Sequence, residues 1–272
     1  MPELPEVEVI RRSLFPHLVG RRFSRVVTSN RRLRLPVPRA GLKRWIQGNK
    51  IETLDRRSKY LLVTMDNGAL MVLHLGMSGR LALVANGIPR AAHDHLRFQL
   101  DNGLELRFSD VRRFGSVRVL SPEGVEGAFA GLGPEPLAPD FSSTYLREQA
   151  RGRVRPIKNF LMDGRIVAGI GNIYANEILF AAGIRPHRSV GELEHEKWDA
   201  LVRACRQVLE QAIECGGTTI SDFVNSHGEA GYFQCHLNVY GRGGERCGYC
   251  TSRIVRQVLA GRATYFCPAC QR

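Results

Sequence analysis

No apolar run in the 272-residue sequence approaches the roughly 20 residues that a membrane-spanning helix needs. The N-terminus also lacks the basic-then-apolar layout of a secretory signal. These absences argue against a helical membrane protein and a secreted precursor, and the expected location is the cell interior. Internal repeats are missing as well, which argues against a solenoid or propeller. Acidic residues are scarce: 26 Asp and Glu stand against 39 Lys and Arg, a formal net charge of +13. Such an imbalance concentrates polyanions near the surface, so a nucleic acid is the leading partner. The excess is greatest in residues 1–60, where fifteen basic residues face five acidic ones. A basic run alone favours a merely solvated face. Cysteine is sparse and odd in number, at seven, which argues against a disulfide framework.

With 43% hydrophobic residues the chain can bury a core, and its length leads us to expect two domains plus an appendage. Residues 22–120 carry short apolar runs rich in β-branched side chains. Turn signals at Asp66-Asn67-Gly68, Asn86-Gly87 and Asp101-Asn102-Gly103 punctuate them, a pattern of a β-sandwich or barrel. Ahead of it Val7, Ile10, Leu14 and Leu18 recur at helical spacing between Pro5 and Gly20, with Pro16 expected to kink the helix or end it early. The prolines at 134, 136 and 139 mark a linker, beyond which helices are expected over 143–150, 157–162, 173–182, 194–215 and 221–224. The expected division is therefore an N-terminal β-sandwich domain over 1–130, a linker over 131–141, a helical domain over 142–237 and a C-terminal appendage over 238–272. As a fold class this is α+β and multidomain.

Four cysteines form two pairs, Cys247-x2-Cys250 and Cys267-x2-Cys270, separated by sixteen residues. Each x2 turn can present two thiolates to one tetrahedral ion, so the spacing predicts one structural zinc ion in a hairpin too small to bury its own core. Cys205 and Cys215 fall in a helical pattern and read as structural thiols; neither they nor Cys235 are assigned a catalytic role. Arg262 falls at the tip of the hairpin, where a guanidinium suits a phosphate. The glycine-rich turn from Asp163-Gly164 to Gly169-Ile170-Gly171-Asn172, followed by a helix, can seat a phosphate on backbone N–H groups, although glycines there could equally serve close helix packing.

The chain opens Met1-Pro2-Glu3-Leu4-Pro5-Glu6-Val7-Glu8. A small second residue such as Pro2 permits removal of the initiator Met, leaving a secondary amine. An α-amino group titrates near 7.7 to 8.0, far below a lysine, so a useful fraction is nucleophilic at neutral pH. Attack on an aldehydic sugar carbon would give an iminium that acidifies the neighbouring C–H bonds. Glu3 is placed as a general acid. Taken alone, this opening is ordinarily read as the cap region of a helix.

Six segments combine in order along the whole chain: the opening P-E-L-P-E-V-E, Ser58-Lys59-Tyr60, His74-Leu75-Gly76-Met77-Ser78-Gly79, Asp110-Val111-Arg112-Arg113-Phe114-Gly115, Gly169-Ile170-Gly171-Asn172-Ile173-Tyr174 and the four cysteines. Together they resemble the formamidopyrimidine-DNA glycosylases. Leu4 favours this family over its sister, endonuclease VIII, which typically has P-E-G-P and prefers oxidised pyrimidines.

The resemblance implies an N-terminal helix with a β-sandwich, a helix-two-turns-helix domain and a zinc hairpin. It implies removal of oxidised purines, namely 8-oxoguanine and formamidopyrimidines, followed by β- and δ-elimination at the abasic site. By the same matching, Pro2 is the Schiff-base nucleophile, Glu3 the proton donor to the sugar, Lys59 the donor in β-elimination and Arg262 that in δ-elimination. Met77, Arg112 and Phe114 are the residues expected to fill the gap left by an extruded nucleotide. Further DNA contacts are implied at His74, His93, Arg153, Lys158 and Asn172. The implied partner is double-stranded DNA containing oxidised bases or abasic sites, bound by a monomer in the cytoplasm, associated with the nucleoid. His93 and His95, two apart, could chelate a metal, but no third ligand is evident. Thr218–Phe223 and Ala230–Phe233 match the loop that closes over the flipped base, with Ser221 where some members carry Lys. An endonuclease VIII-like activity and a noncatalytic damaged-DNA binder stand as alternatives.

Overall fold

The computed structural model describes residues 1–218 and 236–272. The expected helix over 221–224, the loop residues matched from 219 to 233 and Cys235 lie outside them. The chain divides into two compact units, residues 1–129 with 215–232, and residues 130–214 with 233–272.

The first unit opens with helix α1, Leu4–Leu18. Val7, Ile10, Leu14 and Leu18 form its buried stripe, as a period of 3.6 requires of a helix lying on a core. Glu3 caps it in a reciprocal box, in which Glu6 Oε2 accepts the Glu3 N–H at 2.8 Å. Pro16 neither ends nor visibly shortens α1, contrary to expectation: it stands in the last turn. There its missing N–H leaves only the carbonyl of exposed Arg12 without its helical partner, which water can satisfy. The chain leaves the helix through Gly20, whose φ of 84° is open to glycine at little cost.

Eight antiparallel strands follow. They form two four-stranded sheets, ordered β1-β6-β7-β5 and β2-β3-β4-β8. Strands β1 (Phe23–Thr28), β6 (Asp94–Leu100), β7 (Leu104–Asp110) and β5 (Gly79–Ala85) make the first. Strands β2 (Ile51–Arg57), β3 (Tyr60–Met65), β4 (Leu70–His74) and β8 (Ser116–Leu120) make the second. A short helical segment, α2 at Arg39–Gly41 continued by a wider turn over Leu42–Ile46, lies between β1 and β2. Alternate strand residues such as Leu61, Val63 and Met65 on β3, with Phe98 on β6 and Phe108 on β7, join the α1 stripe in one core. This is the expected β-sandwich.

The second unit is helical. Its helices are α3 (Ser143–Ala150), α4 (Ile157–Leu161), α5 (Asn172–Ala181) and α6 (His195–Glu214), close to the spans read from the sequence. Ser142 caps α3 by accepting the Tyr145 N–H at 3.1 Å. Trp198, Leu201, Cys205, Leu209 and Ala212 carry the buried face of α6, and Cys205 is the expected inert thiol, its pKa raised by burial. The proline-rich stretch is not a free tether: Gly133 N–H donates to Gly164 at 2.9 Å, and Pro134 accepts from the Ala168 N–H at 3.0 Å. A hairpin of β9 (Val255–Leu259) and β10 (Arg262–Phe266) ends the chain.

Candidate functional site

Within the first unit, Pro2 and Glu3 are buried at the capped start of α1. Glu6, 1% exposed, holds that start from below. While Oε2 takes the Glu3 N–H at 2.8 Å, its Oε1 accepts both the N–H and the hydroxyl of Thr218, each at 3.0 Å. One buried carboxyl thus joins the N-terminus, where the nucleophile is expected, to Thr218, the first residue of the segment expected to close over a flipped base.

Lys59 stands in the two-residue turn between β2 and β3, because Arg57 and Tyr60 are cross-strand partners. Ser58 takes φ of 57° there, a left-handed conformation that a two-residue hairpin demands. The turn is tied to α1. Arg56 donates from Nη1 to the Ser58 carbonyl at 3.0 Å and from Nε to Glu8 at 3.2 Å, while Arg11 and Arg12 grip the same carboxylate at 2.8 and 2.9 Å. Burial would raise the Glu8 pKa, but the hydrogen bonds from Arg11 and Arg12 and the Arg56 charge outweigh it and hold it at about 2. The element carrying Pro2 and Glu3 and the turn carrying Lys59 are therefore set by one ionic joint.

His74 pairs with Tyr60 across β3 and β4, their rings 5.0 Å apart. Its Nδ1 accepts the Gly76 N–H at 3.1 Å, which leaves the other nitrogen to carry the proton of a neutral ring. Burial first, and then the charges of Lys59 and Arg34, lower its pKa to about 4. A neutral imidazole can donate one hydrogen bond to a phosphate without bringing a charge.

Three residues expected to enter a DNA stack stand out from the sandwich. Met77, Arg112 and Phe114 are exposed, and the Arg112 guanidinium lies 4.9 Å from the Phe114 ring centroid. Exposed apolar side chains next to a cation are costly in water and suited to an unstacked base step. Nearby, His93 and Arg112 line a half-open cleft of about 420 Å³. His95 behaves otherwise: it is 2% exposed, with Nδ1 3.1 Å from Ser29 Oγ and Nε2 2.9 Å from the Asp110 carbonyl. It is a satisfied core histidine, so no His93–His95 chelate forms.

In the second unit the four cysteines come together. Their sulfurs lie within 4.8 Å of one another, the only such metal-holding group among the described residues. The separations Cys250–Cys267 and Cys247–Cys270 are 3.4 and 3.9 Å. A tetrahedron with zinc–sulfur bonds of about 2.3 Å has edges near 3.8 Å, so the donor set fits such an ion. Backbone N–H groups of Tyr249 and Cys270 point at the Cys247 and Cys267 sulfurs, the usual support of a thiolate.

Arg262 follows the Ala260-Gly261 turn of the hairpin and is exposed. Both turn residues have positive φ, 48° and 73°, giving a tight and rigid tip. Lys158 departs from expectation. It is 1% exposed, and its ammonium donates to the Ala263 carbonyl at 2.9 Å and to Thr264 Oγ1 at 2.7 Å. It braces the strand that carries Arg262 from inside the unit. Asn172 shares the task, donating from Nδ2 to the same carbonyl at 3.0 Å, and Asn176 accepts the Tyr265 N–H at 2.8 Å. The Asn172 backbone N–H belongs to the first turn of α5, where a phosphate contact is expected. Arg153 is exposed, as a contact requires.

The sequence reading missed the buried acids. Glu6, Glu8, Asp110 and Glu177 all act as acceptors inside the fold. Glu177 takes the N–H groups of Asn238, Val239 and Tyr240 at 2.8, 3.0 and 2.7 Å and so fixes the entry to the four-cysteine hairpin. The available signal was position: three of the four lie inside or at the head of the quoted motifs.

Comparison with known proteins follows the same division. Residues 1–117 match the model of the formamidopyrimidine-DNA glycosylase N-terminal domain, and residues 132–224 that of the H2TH domain of the same enzymes. A formamidopyrimidine-DNA glycosylase of Alteromonas mediterranea is 48% identical over 272 residues, all of both chains. Among solved structures, a Lactococcus lactis FPG mutant in complex with a Fapy-dG containing DNA has a TM-score of 0.92 at 34% identity, covering 100% of each chain. The Lactococcus lactis Fpg with an abasic site containing DNA has a TM-score of 0.91, covering 99% of each.

Proposed function

The chain belongs to the formamidopyrimidine-DNA glycosylase family, and from that premise we propose that it extrudes an oxidised purine from duplex DNA, excises it through Pro2 and cuts the strand at the resulting abasic site. It is a base-excision repair enzyme, both glycosylase and abasic-site lyase. Damaged double-stranded DNA is its partner, and the reading we propose for its location is the cytoplasm, associated with the nucleoid. Among the described residues no helix is long and apolar enough to cross a membrane.

Once Met1 is removed, the Pro2 nitrogen attacks C1′ of the damaged nucleotide while Glu3 protonates the sugar ring oxygen. The glycosidic bond breaks, the base leaves, and the sugar opens to an iminium on Pro2. That cation withdraws electrons from C2′, a proton is lost there, and the 3′ phosphate departs, with Lys59 as proton donor. A second elimination, with Arg262 as donor, releases the 5′ phosphate. The observation that carries this reading is the pair Pro2–Glu3 at the capped start of α1, tied through Glu8 and Arg56 to the turn of Lys59.

Met77, Arg112 and Phe114 occupy the vacated stack, Arg112 facing the orphaned base. His74, His93, Arg153 and the N–H at Asn172 hold phosphates. The four cysteines hold one zinc ion, which folds the hairpin and takes no part in the reaction. We divide the labour as residues 1–130 for chemistry, 142–237 for phosphate binding and 238–272 for the Arg262 tip, with 131–141 joining them.

The deciding experiment is borohydride trapping on a duplex with 8-oxoguanine opposite cytosine, with mass mapping of the adduct. An adduct on Pro2 is expected. An adduct elsewhere removes the nucleophile assignment; trapping only on an abasic or oxidised-pyrimidine duplex moves the substrate; none on any duplex leaves a binding protein.

A further inference from the structure

The two loops that bear the wedge residues converge on one buried carboxyl group. Asp110, 0% exposed, accepts the Ser78 hydroxyl on Oδ1 at 2.6 Å and the Gly115 N–H on Oδ2 at 2.7 Å. Ser78 in turn accepts the Arg112 N–H on its Oγ at 3.1 Å. Met77 precedes Ser78, and Phe114 precedes Gly115, so every wedge residue is one bond from a member of this network. The backbone offers no slack beside it. A Cβ on Gly76, which has φ of 65°, would stand 2.4 Å from the Phe114 carbonyl carbon and the Gly115 nitrogen. Arg113 is held at φ 57°, a strained value for a side chain of its size. The Asp110 N–H also donates to the His93 carbonyl at 3.0 Å.

Exposed Met77, Arg112 and Phe114 have little to pack against, so their placement comes from these buried bonds. We infer that Ser78 and Asp110 are positioning residues for nucleotide extrusion: the clamp fixes the mutual register of the Met77 loop and the Arg112–Phe114 loop, so that both enter one base step together. This rests on the wedge role proposed above. It assigns Ser78 a task in duplex opening and none in bond breaking.

The test separates opening from chemistry. In the full-length zinc-loaded protein, Ser78→Ala should slow single-turnover excision of 8-oxoguanine from duplex by about tenfold to a hundredfold, the scale of misplacing a group by about an ångström. Cleavage of a single-stranded abasic oligonucleotide, which needs no wedge, should keep the parent rate, and Ser78→Thr should restore the duplex rate. A parent-like duplex rate in Ser78→Ala, or an equal loss on both substrates, overturns the clamp. Should that variant be unstable, Asp110→Asn decides by the same comparison, since it keeps an acceptor for Gly115 while weakening the Ser78 bond. Phe114→Ala tells the two ideas apart. If it retains the duplex rate, the wedge reading fails; if it loses the rate while Ser78→Ala does not, only the clamp fails.

Discussion

His74 carries an imidazole into a place where a charged one would be unstable. Its Nδ1 is committed to the Gly76 N–H, and burial together with Lys59 and Arg34 opposes a proton on that nitrogen. The folded pKa of about 4 lies below the unfolded value near 6.5. Between those values the unfolded chain binds a proton that the native state refuses. Stability from this group is therefore complete above pH 6.5 and is lost as pH falls towards 4, on the order of 2–3 kcal/mol. His74→Asn keeps an acceptor for Gly76 but cannot titrate. We expect the difference in chemical-denaturation free energy between parent and variant to slope with pH across that window and to be flat above it. A constant difference from pH 4 to 8 would mean that His74 is not the group held neutral. The sequence placed His74 in a motif, yet not in this state, because a pKa is set by neighbours such as Lys59 and Arg34 that periodicity does not locate.

At the scale of elements, the four-cysteine hairpin, proposed above to hold zinc, is the smallest piece with the greatest dependence on its surroundings. Its core comprises Phe180, Val239, Cys247, Ile254 and Cys267, too few apolar side chains to fold such a segment alone. Structural zinc typically supplies about 10–16 kcal/mol in isolated fingers, far more than this cluster can. Cys250→Ser should therefore lose the metal and unfold the hairpin, releasing Arg262 from its turn. Zinc content by metal analysis and duplex affinity by fluorescence anisotropy should fall together, affinity by about tenfold or more. Zinc loss with unchanged affinity would separate the hairpin from DNA. The cysteine pairs were legible because their spacing is local. The brace of Lys158, Asn172 and Asn176 on β10 was not, since it joins residues about a hundred positions apart and a lysine in sequence advertises charge, never burial. Pro16 misled for the converse reason: the rule against proline is about interior turns, and only the structure tells where the helix ends.

For the whole molecule, the question is how much of the +13 charge is available to a polyanion. Some of it is spent inside: Arg107 is 5% exposed between Asp94 and Glu105, Lys158 is buried, and Arg56 shares Glu8 with Arg11 and Arg12. Counting cations along the sequence overstates the surface charge for that reason. Others, including Arg112, Arg153 and Arg262, are exposed in the unit that carries them. If these and their neighbours neutralise roughly five phosphates, the logarithm of affinity for undamaged duplex should fall with the logarithm of salt at a slope near −4.5. Raising salt from about 50 to 200 mM would then weaken binding by about 10²- to 10³-fold. Arg153→Ala should reduce that slope by about one without altering preference among base sequences, because phosphate contacts carry no sequence information. Lys158→Met should leave the slope unchanged, since its ammonium is already satisfied by Ala263 and Thr264. A slope lowered by Lys158→Met and not by Arg153→Ala would reverse the assignment of these two cations and return Lys158 to the DNA surface.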